Sequence, residues 1–214
     1  MLVNADFMRR AIVDAARYRW VASPQPGVER VMLERLAGEH GRATSIVRYA
    51  PGAFYPAHGH PGGEEILVLS GVFSEGEQHY PEGWYLRNPP GSSHAPASAG
   101  GAIIFVKLAR MSPAGQGQVR IDTRQASAWR REQGREICPL FCDAAEQFSL
   151  QRLASHEVLF DGAIAAAEVL VISGSLGCEG ELHFRGSWLR LPEGEYPGIA
   201  AGAHGATVYL RAGK

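Results

Sequence analysis

Alternating apolar and polar positions dominate the chain and predict β-strands. The alternation runs through residues 28–36 and 44–49, and the β pattern continues over residues 67–73, 83–87 and 102–108. Successive side chains of a strand point to opposite faces, so a period of two is typical of half-buried strands. The 26 glycines and 13 prolines favour a turn-rich β architecture over a helical bundle. The pattern therefore predicts an all-β fold.

The N-terminal segment, residues 4–18, has both a helical and an extended interpretation. Its apolar residues Phe7, Ile12 and Ala15 would lie on one side of a short helix. The same residues fit an extended arm that precedes the first strand. We expect either a short N-terminal helix or an arm.

The stretch from Gly52 to His94 carries the chemistry. It contains His58-Gly-His60, then a Pro-Gly-Gly turn and Glu64, and finally His94 after a Pro-Pro-Gly-Ser-Ser turn. Alternation puts His58 and His60 on one face of a strand, roughly 6.5–7 Å apart along the backbone, so both imidazoles can turn onto one ion. The first turn lets the chain double back, so that Glu64 can enter the same cavity. We predict one metal ion per chain, with the ligands His58, His60, Glu64 and His94.

The predicted donor set consists of imidazole and carboxylate groups without a thiolate. It suits Zn(II), Fe(II), Mn(II), Ni(II) or Co(II), and the protein ligands alone do not choose among these ions. Four protein ligands either close a tetrahedral structural zinc site or leave positions open on an octahedral ion. The closed arrangement is typical of a stabiliser or sensor, and the open one is typical of an enzyme.

The spacing of these residues resembles the cupin superfamily, whose members fold as jelly-roll barrels. Residues 52–71 match the first cupin motif, Gly-x5-His-x-His-x3/4-Glu-x6-Gly. Residues 83–98 match the second, Gly-x5-Pro-x-Gly-x2-His-x3-Asn, except that Ser98 replaces the Asn, which is not a metal ligand. Glu65 competes for the carboxylate position, but only Glu64 leaves six residues before Gly71. The resemblance implies a barrel with the metal site inside it.

The second half of the chain repeats the first without its ligands. Four corner residues recur 103 positions later: Gly71 as Gly174, Gly83 as Gly186, Pro89 as Pro192 and Gly91 as Gly194. At the same offset, Ile103–Val106 is expected to correspond to Ala206–Tyr209. The offset replaces the four ligands by Asp161, Ala163, Ala167 and Pro197.

Duplication explains this repeat and predicts two tandem cupin barrels, a bicupin. Residues 111–118, Met-Ser-Pro-Ala-Gly-Gln-Gly-Gln, are the best linker candidate. We expect a metal-binding cupin domain over residues 1–112 and a degenerate, metal-free cupin domain over residues 113–214.

Charge and cysteine content exclude several classes of function. The chain has 21 basic and 22 acidic residues and a formal net charge of −1, which gives no electrostatic case for nucleic-acid binding. No segment is apolar and long enough to cross a membrane, and no signal peptide is visible. Three cysteines, an odd number, indicate a reducing compartment rather than a disulfide scaffold. We therefore expect a cytoplasmic protein.

Within the cupins, the chain resembles the cupin-like domain of ChrR-type anti-sigma factors. The resemblance rests on residues 58–71 and 80–94. In ChrR this domain binds zinc and takes part in a response to singlet oxygen and peroxides. The resemblance implies zinc as the first expectation here, with iron, manganese or nickel as alternatives. Sigma-factor binding is doubtful, because ChrR-type factors bind sigma through a helical module with a His-x3-Cys-x2-Cys motif that this sequence lacks.

Two functions stay open on this evidence. The first is a metal-binding regulatory or sensor module of the ChrR cupin type. We favour it because no general base is identifiable apart from the ligands, with Glu65 and Glu82 only as candidates, and no catalytic residue can be named. The alternative is a metal-dependent oxygenase or isomerase that takes a small-molecule ligand in the N-terminal barrel. Its candidate pocket walls are Phe54, Tyr55, Phe73, Trp84 and Phe105. Besides a small-molecule ligand, we consider a second copy of the chain, in a homodimer, as a partner.

Overall fold

A computed structural model of the chain describes residues 2–36, 41–108, 111 and 117–213. These residues form antiparallel β-sheets with two three-residue 3-10 turns, Ala15–Arg17 and Ala126–Ala128, and no α-helix is found among them. The predicted all-β fold is confirmed, and the sheets are consistent with jelly-roll cupin barrels. Within the described ranges, no helix has the length and apolar character needed to cross a bilayer.

The strands are numbered here in chain order. The first thirteen are β1 (Ala11–Val13), β2 (Val21–Ala22), β3 (Val28–Arg35), β4 (Ala43–Tyr49), β5 (Ala53–Phe54), β6 (His58–His60), β7 (Glu64–Glu75), β8 (Gln78–Pro81), β9 (Trp84–Asn88), β10 (Ser92–His94), β11 (Pro96–Ser98), β12 (Ala102–Leu108) and β13 (Val119–Asp122). The others are β14 (Arg130–Glu132), β15 (Arg135–Cys142), β16 (Glu146–Leu153), β17 (Ala163–Ile164), β18 (Ala167–Cys178), β19 (Glu181–Phe184), β20 (Trp188–Leu191), β21 (Gly194–Glu195) and β22 (Ala200–Gly213).

Contacts divide the chain into two compact units. The first comprises Met1–Ala5 and Arg19–Arg124, and the second comprises Asp6–Tyr18 and Gln125–Lys214. The large sheet of the first unit has the strand order β13-β9-β7-β12-β4-β3-β2. The large sheet of the second unit has the order β1-β20-β18-β22-β16-β15-β14. Each strand of the first order therefore has a counterpart at the same place in the second.

The interior of the second unit is filled with apolar side chains. The positions that correspond to His60 and Glu64 are Ala163, opposite Glu195 in the β17–β21 pair, and the buried Ala167. Around Ala167 packs a cluster of buried residues that are at most 9% exposed: Leu153, Leu159, Phe160, Val169, Val171, Leu176, Cys178, Leu189, Leu191, Ile199, Ala201, Ala206, Val208 and Leu210. Asp161, the one potential donor among the replaced ligands, is exposed.

The N-terminal segment is extended, so the helical alternative is wrong. β1 pairs with β20 along Ala11–Val13, and its backbone groups therefore bond to the edge of a sheet instead of to a helical turn. Asp14 accepts a hydrogen bond from the Ala16 amide and caps the short turn that follows. Upstream, Phe7 packs under the guanidinium of Arg190, whose Cζ lies 4.3 Å from the ring centroid.

The predicted boundary between residues 112 and 113 lies outside the described residues, as does most of the predicted linker 111–118. Past it, β13 pairs with β9 and completes the sheet of the first unit. Residues 6–18 instead belong to the second unit. The predicted domain boundary between residues 112 and 113 stays a prediction. The two compact units are not obtained by dividing the sequence at one position, because residues 6–18 belong to the second unit.

Both units bend one long strand at a glycine. β7 and β18 have twelve residues each, and Gly71 and Gly174 lie within them at φ of +73° and +70°. A Cβ atom on either glycine would lie 2.1 Å from a carbonyl oxygen, that of Gly101 or that of Gly205. Both the positive φ and the close approach of the backbone therefore require glycine.

The strand pairing corrects one part of the predicted repeat. Gly71 pairs with Ala102, whereas Gly174 pairs with Ala206. The two glycines are 103 residues apart in the sequence and the two alanines are 104 residues apart. The predicted correspondence of the last strands is therefore wrong by one residue, because the second unit has an extra residue before that part of β22.

Replacing Gly71 by alanine should destabilise the protein strongly. A positive φ costs a residue with a Cβ atom ~1–2 kcal/mol, and the clash with the Gly101 carbonyl should add roughly 1–3 kcal/mol. Gly76→Ala is the matched control, since its φ is +60° and no atom lies within 4 Å of its Cβ position. Urea denaturation of both variants measures the difference. An equal loss of stability in the two would contradict the proposed clash.

Candidate metal centre

Strands β6 and β10 hold the three histidines in a two-stranded sheet. His58 pairs directly with His94 across this sheet. His60 projects on the same side as His58, as the alternation predicted. The turn before β10 is fixed by a hydrogen bond of 2.9 Å from the Gly91 amide to the His60 carbonyl. Local turn chemistry and strand alternation are thus enough to bring three imidazoles together.

The imidazoles of His58, His60 and His94 form a cluster that can hold a metal ion. Nε2 of His60 and Nε2 of His94 are 2.9 Å apart, and the three ring centroids are 4.8–4.9 Å from one another. The ligand nitrogens of the three histidines all lie within 4.8 Å of one another. Nitrogens bound ~2.1 Å from one ion lie about 3 Å apart when the angle at the metal is near 90°. The cluster therefore fits a divalent metal.

Glu64 lies beside this cluster. Its Oε2 atom is 3.5 Å from Nε2 of both His60 and His94, and it accepts a hydrogen bond of 3.3 Å from Asn88 Nδ2. Burial raises the pKa of the Glu64 carboxyl to about 7, against the opposing effects of His94 and the Asn88 hydrogen bond. A cation at the cluster would ionise this carboxyl. The role of Glu64 as a fourth ligand stays a prediction that this position supports.

Glu65, the competing carboxylate, is bound elsewhere. It accepts hydrogen bonds from the Tyr85 hydroxyl at 2.6 Å and from Arg87 Nη1 at 2.5 Å. Neighbouring residues of a strand face opposite sides, so Glu65 points away from the histidines when Glu64 points toward them.

Hydrogen bonds to the outer nitrogens of two histidines leave their Nε2 atoms available to a metal. Nδ1–H of His58 donates to the Pro56 carbonyl at 2.8 Å, and Nδ1–H of His94 donates to Glu75 Oε1 at 2.6 Å. Because both acceptors are oxygen atoms, the proton lies on Nδ1 and the lone pair on Nε2. Such contacts orient metal ligands and raise their basicity.

Glu75 is itself held by a network that sequence reasoning missed. Arg120 Nη2 donates to Glu75 Oε2 at 3.1 Å and to Asn88 Oδ1 at 2.7 Å, while Arg120 Nε donates to the Tyr80 hydroxyl at 3.1 Å. No motif signals Glu75 or Asn88. Arg120 lies on β13, beyond the predicted domain boundary, so no local spacing connects it with the histidines.

The three imidazoles differ in how readily they are protonated. Burial lowers the pKa of His60 to about 4, and the neighbouring His94 and His58 act in the same direction. Burial also lowers the pKa of His58. Burial opposes protonation of His94 as well, but its hydrogen bond to Glu75 and the charge of Glu64 outweigh it and raise its pKa. A metal ion would therefore compete with protons mainly at His94 and Glu64.

The cluster opens into a cavity of about 330 Å³ in the first unit. Its apolar walls come from β3, β4 and β12 and include Val28, Val47, Ile104, Val106 and Leu108. Tyr55 and Phe73 line it, as predicted. The prediction is wrong for Phe54, which is 57% exposed, and Trp84 and Phe105 do not line it either.

Removing the carboxylate behind His94 should weaken metal binding without removing a ligand. Glu75→Ala should lower metal affinity roughly 10–100-fold, because His94 loses the acceptor that fixes its tautomer. Glu75→Gln keeps an oxygen acceptor and should lose less. Glu77→Gln, on the exposed turn of the same hairpin, should bind as the unchanged protein does. Competition with a chelator measures all four affinities, and equal affinity of Glu75→Ala and Glu77→Gln would contradict the assignment.

Metal affinity should rise with pH through neutrality. Since Glu64 has a pKa of about 7, its proton must leave before the carboxylate can bind, which contributes about a tenfold gain between about pH 6 and about pH 8. Glu64→Gln should lose this contribution and retain that of His94. Glu82→Gln is the exposed control. Calorimetry in buffers of different ionisation enthalpy counts the protons released, and an unchanged count in Glu64→Gln would rule out Glu64 as a ligand.

Comparison with known proteins identifies the fold. Residues 8–112 match the family described as the ChrR cupin-like domain. The comparison with curated proteins gave no match. Among solved structures, a candidate dioxygenase from Nostoc punctiforme is 14% identical with a TM-score of 0.76, and the match covers 96% of this chain and 82% of that one.

Two further structures have the same fold over nearly the whole chain. The cupin 2 conserved barrel domain protein from Leptotrichia buccalis is 13% identical with a TM-score of 0.63 and is covered completely, as is this chain. The pirin YhhW from Escherichia coli, solved in complex with nickel(II), is 10% identical with a TM-score of 0.66, over 95% of this chain and 98% of that one. Residues 8–112 are therefore similar to the ChrR cupin-like domain, and the chain as a whole has the fold of the cupin structure that it matches.

Proposed function

We propose that the first unit binds one divalent metal ion through His58, His60, Glu64 and His94 and uses it on a small molecule held in the barrel cavity. The observation that carries this proposal is that all four side chains line the cavity. Structural zinc sites are closed by four protein ligands, whereas catalytic metal sites keep a position open for water or substrate. An ion at this cluster would be accessible from the cavity.

The reaction class that we favour is oxygenation or isomerisation of a small molecule. The donor set admits zinc, iron, manganese or nickel, and a candidate dioxygenase and a nickel-bound pirin have the same fold. When bound, the ion would supply Lewis-acid chemistry or, for iron, redox chemistry. The apolar walls would exclude water and hold the substrate body. Glu75 and Arg120 would keep His94 oriented.

A regulatory or sensor module is the second candidate. The match of residues 8–112 to the ChrR cupin-like domain favours it. In this case the same four ligands would close a zinc site, and loss of the ion would change the stability of the first unit.

The wider setting of the protein is also a proposal. The shared strand order and the paired glycine bends support a duplicated, bicupin architecture with a metal-free second barrel. Cys138, Cys142 and Cys178 form no disulfide, which fits the reducing cytoplasm. We expect a small molecule as the main partner and no nucleic-acid partner. Solution measurements of mass would show whether the protein also forms a homodimer.

Cobalt substitution separates the two functions. Tetrahedral and higher-coordinate Co(II) differ in geometry and therefore in visible absorption. The catalytic proposal expects a five- or six-coordinate spectrum that shifts when azide is added. A tetrahedral spectrum that does not change when azide is added would overturn the catalytic proposal in favour of the closed sensor site.

The same spectrum tests the ligands. The His94→Ala variant should lose the Co(II) spectrum. Its metal content should fall from about one ion per chain toward none, because one of only four ligands is lost. His79→Ala should keep both, since His79 is exposed and bonds Ser74 in the same unit. Full metal content in His94→Ala would refute the site.

A further inference from the structure

Two polar side chains in the cavity wall take no part in the metal centre. Arg30 and Tyr49 both line the cavity, on the adjacent strands β3 and β4. Arg30 lies opposite Val47 in the register of these strands, and Tyr49 lies opposite Val28. Val28 and Val47 are themselves wall residues, so a guanidinium and a phenol stand among apolar side chains.

The guanidinium of Arg30 is held in place without a carboxylate. Its Nη2 atom donates to the Ser23 hydroxyl at 2.6 Å, and that hydroxyl lies 3.3 Å from the hydroxyl of Tyr55. Within the described ranges, no acidic side chain pairs with Arg30. Hydrogen bonds to neutral hydroxyls orient the guanidinium but leave its charge uncompensated, so it can still bind an anion in two-point fashion.

The hydroxyl of Tyr49 is an unused donor. Tyr49 is 6% exposed, and its hydroxyl makes no hydrogen bond to another described residue. Because Tyr49 lines the open cavity, its hydroxyl can donate to an acceptor of a ligand bound there. Burial, together with the charge of Glu64, raises the pKa of Tyr49, so its hydroxyl keeps the proton that it would donate.

The charge balance of the cavity also favours an anion. Among the described residues that line it, Glu64 is the acidic one and is assigned to the metal, whereas Arg30 is basic and has no acidic partner there. A divalent ion would add further positive charge. Apolar walls and a volume of about 330 Å³ leave room for a small hydrocarbon body.

The second unit gives a comparison within the same chain. Ile104 of β12 pairs with Val47, and its counterpart Val208 of β22 pairs with Gln151. Gln151 is therefore the counterpart of Val47. Arg30 pairs with Val47 and Ile137 pairs with Gln151, so Ile137 is the counterpart of Arg30. Two residues further along the same strands, Leu153 is the counterpart of Tyr49. Arginine and tyrosine thus occur in the unit with the histidine cluster and its cavity, and are replaced by apolar residues in the unit whose interior is filled.

We propose that the cavity ligand is a small organic carboxylate whose anionic group binds Arg30 and Tyr49 while its apolar body packs against the valine and isoleucine wall. The inference rests on the proposed function only in taking the cavity as the substrate site. The carboxylate would accept from the guanidinium and from the Tyr49 hydroxyl, and the far end of the molecule would face the metal ligands. Such a ligand would compensate the charge of Arg30 and accept a hydrogen bond from Tyr49 at once.

Matched pairs of probes test the charge requirement. Hexanoate and hexanamide, and benzoate and benzamide, differ in charge but little in size. Binding of each to the zinc-loaded full chain is measured by calorimetry and by saturation-transfer NMR. At least one carboxylate should bind about tenfold more tightly than its amide, as expected for a charge-assisted hydrogen bond.

Variants locate the effect. Arg30→Gln should remove the tenfold preference, and Tyr49→Phe should weaken carboxylate binding severalfold. Arg48→Gln is the control on the opposite face of the same sheet, where Arg48 pairs with Glu29 at 2.6 Å, and it should behave as the unchanged protein. Equal binding of acid and amide in both pairs, no binding of any probe at millimolar concentration, or a preference that survives Arg30→Gln would each overturn the inference.

Metal readouts separate this inference from the proposed function. Arg30→Gln and Tyr49→Phe should keep about one ion per chain and the azide-induced shift of the Co(II) spectrum. If that shift is present but no carboxylate preference is found, the anion inference fails and the proposed metal chemistry stands. If carboxylates bind through Arg30 while the Co(II) site is closed to azide, the cavity is a carboxylate site and the metal function fails.

Discussion

The bend of β7 at Gly71 is the constraint on which the metal centre depends. Glu64 is the first residue of this strand and Glu75 the last, and a straight strand would separate them by roughly 36 Å. Instead both carboxylates contact one imidazole, Glu64 at 3.5 Å from Nε2 of His94 and Glu75 at 2.6 Å from its Nδ1. The bend needs a residue without a Cβ atom, because the Gly101 carbonyl occupies the space.

The same bend recurs in the second unit, where the described residues include no cluster of three metal ligands. There Cys178 has the register position of Glu75, and Ile12 has that of Arg120. Buried ionisable groups cost free energy unless every one is paired. In a unit without metal ligands, buried ionisable groups that would orient such ligands have no function to offset that cost. The fold and the site are separable in this chain, and the polar residues of the first cavity, including those outside the metal cluster, point to a ligand.

Local properties of the sequence determined much of this protein. Strand alternation placed His58 and His60 on one side, and glycine and proline spacing marked the corners that return His94 to them. The same alternation predicted the all-β fold. These predictions succeeded because each depends on residues that are neighbours along the chain. The offset of the last strands failed, because one extra residue within β22 leaves the spacing of all earlier corners unchanged.

Only the tertiary structure decided what surrounds the ligands. Glu75 and Arg120 reach His94 from β7 and β13, and Arg30 and Tyr49 enter the cavity from β3 and β4. Strand alternation predicts which side chains share a face of a sheet. It does not predict which of the two faces becomes the interior of the barrel. The N-terminal segment is extended because the edge of β20 offers hydrogen-bond partners to Ala11–Val13, and no local preference encodes that edge. Long-range pairing, which depends on strands far apart in the sequence, therefore set the chemistry of the site.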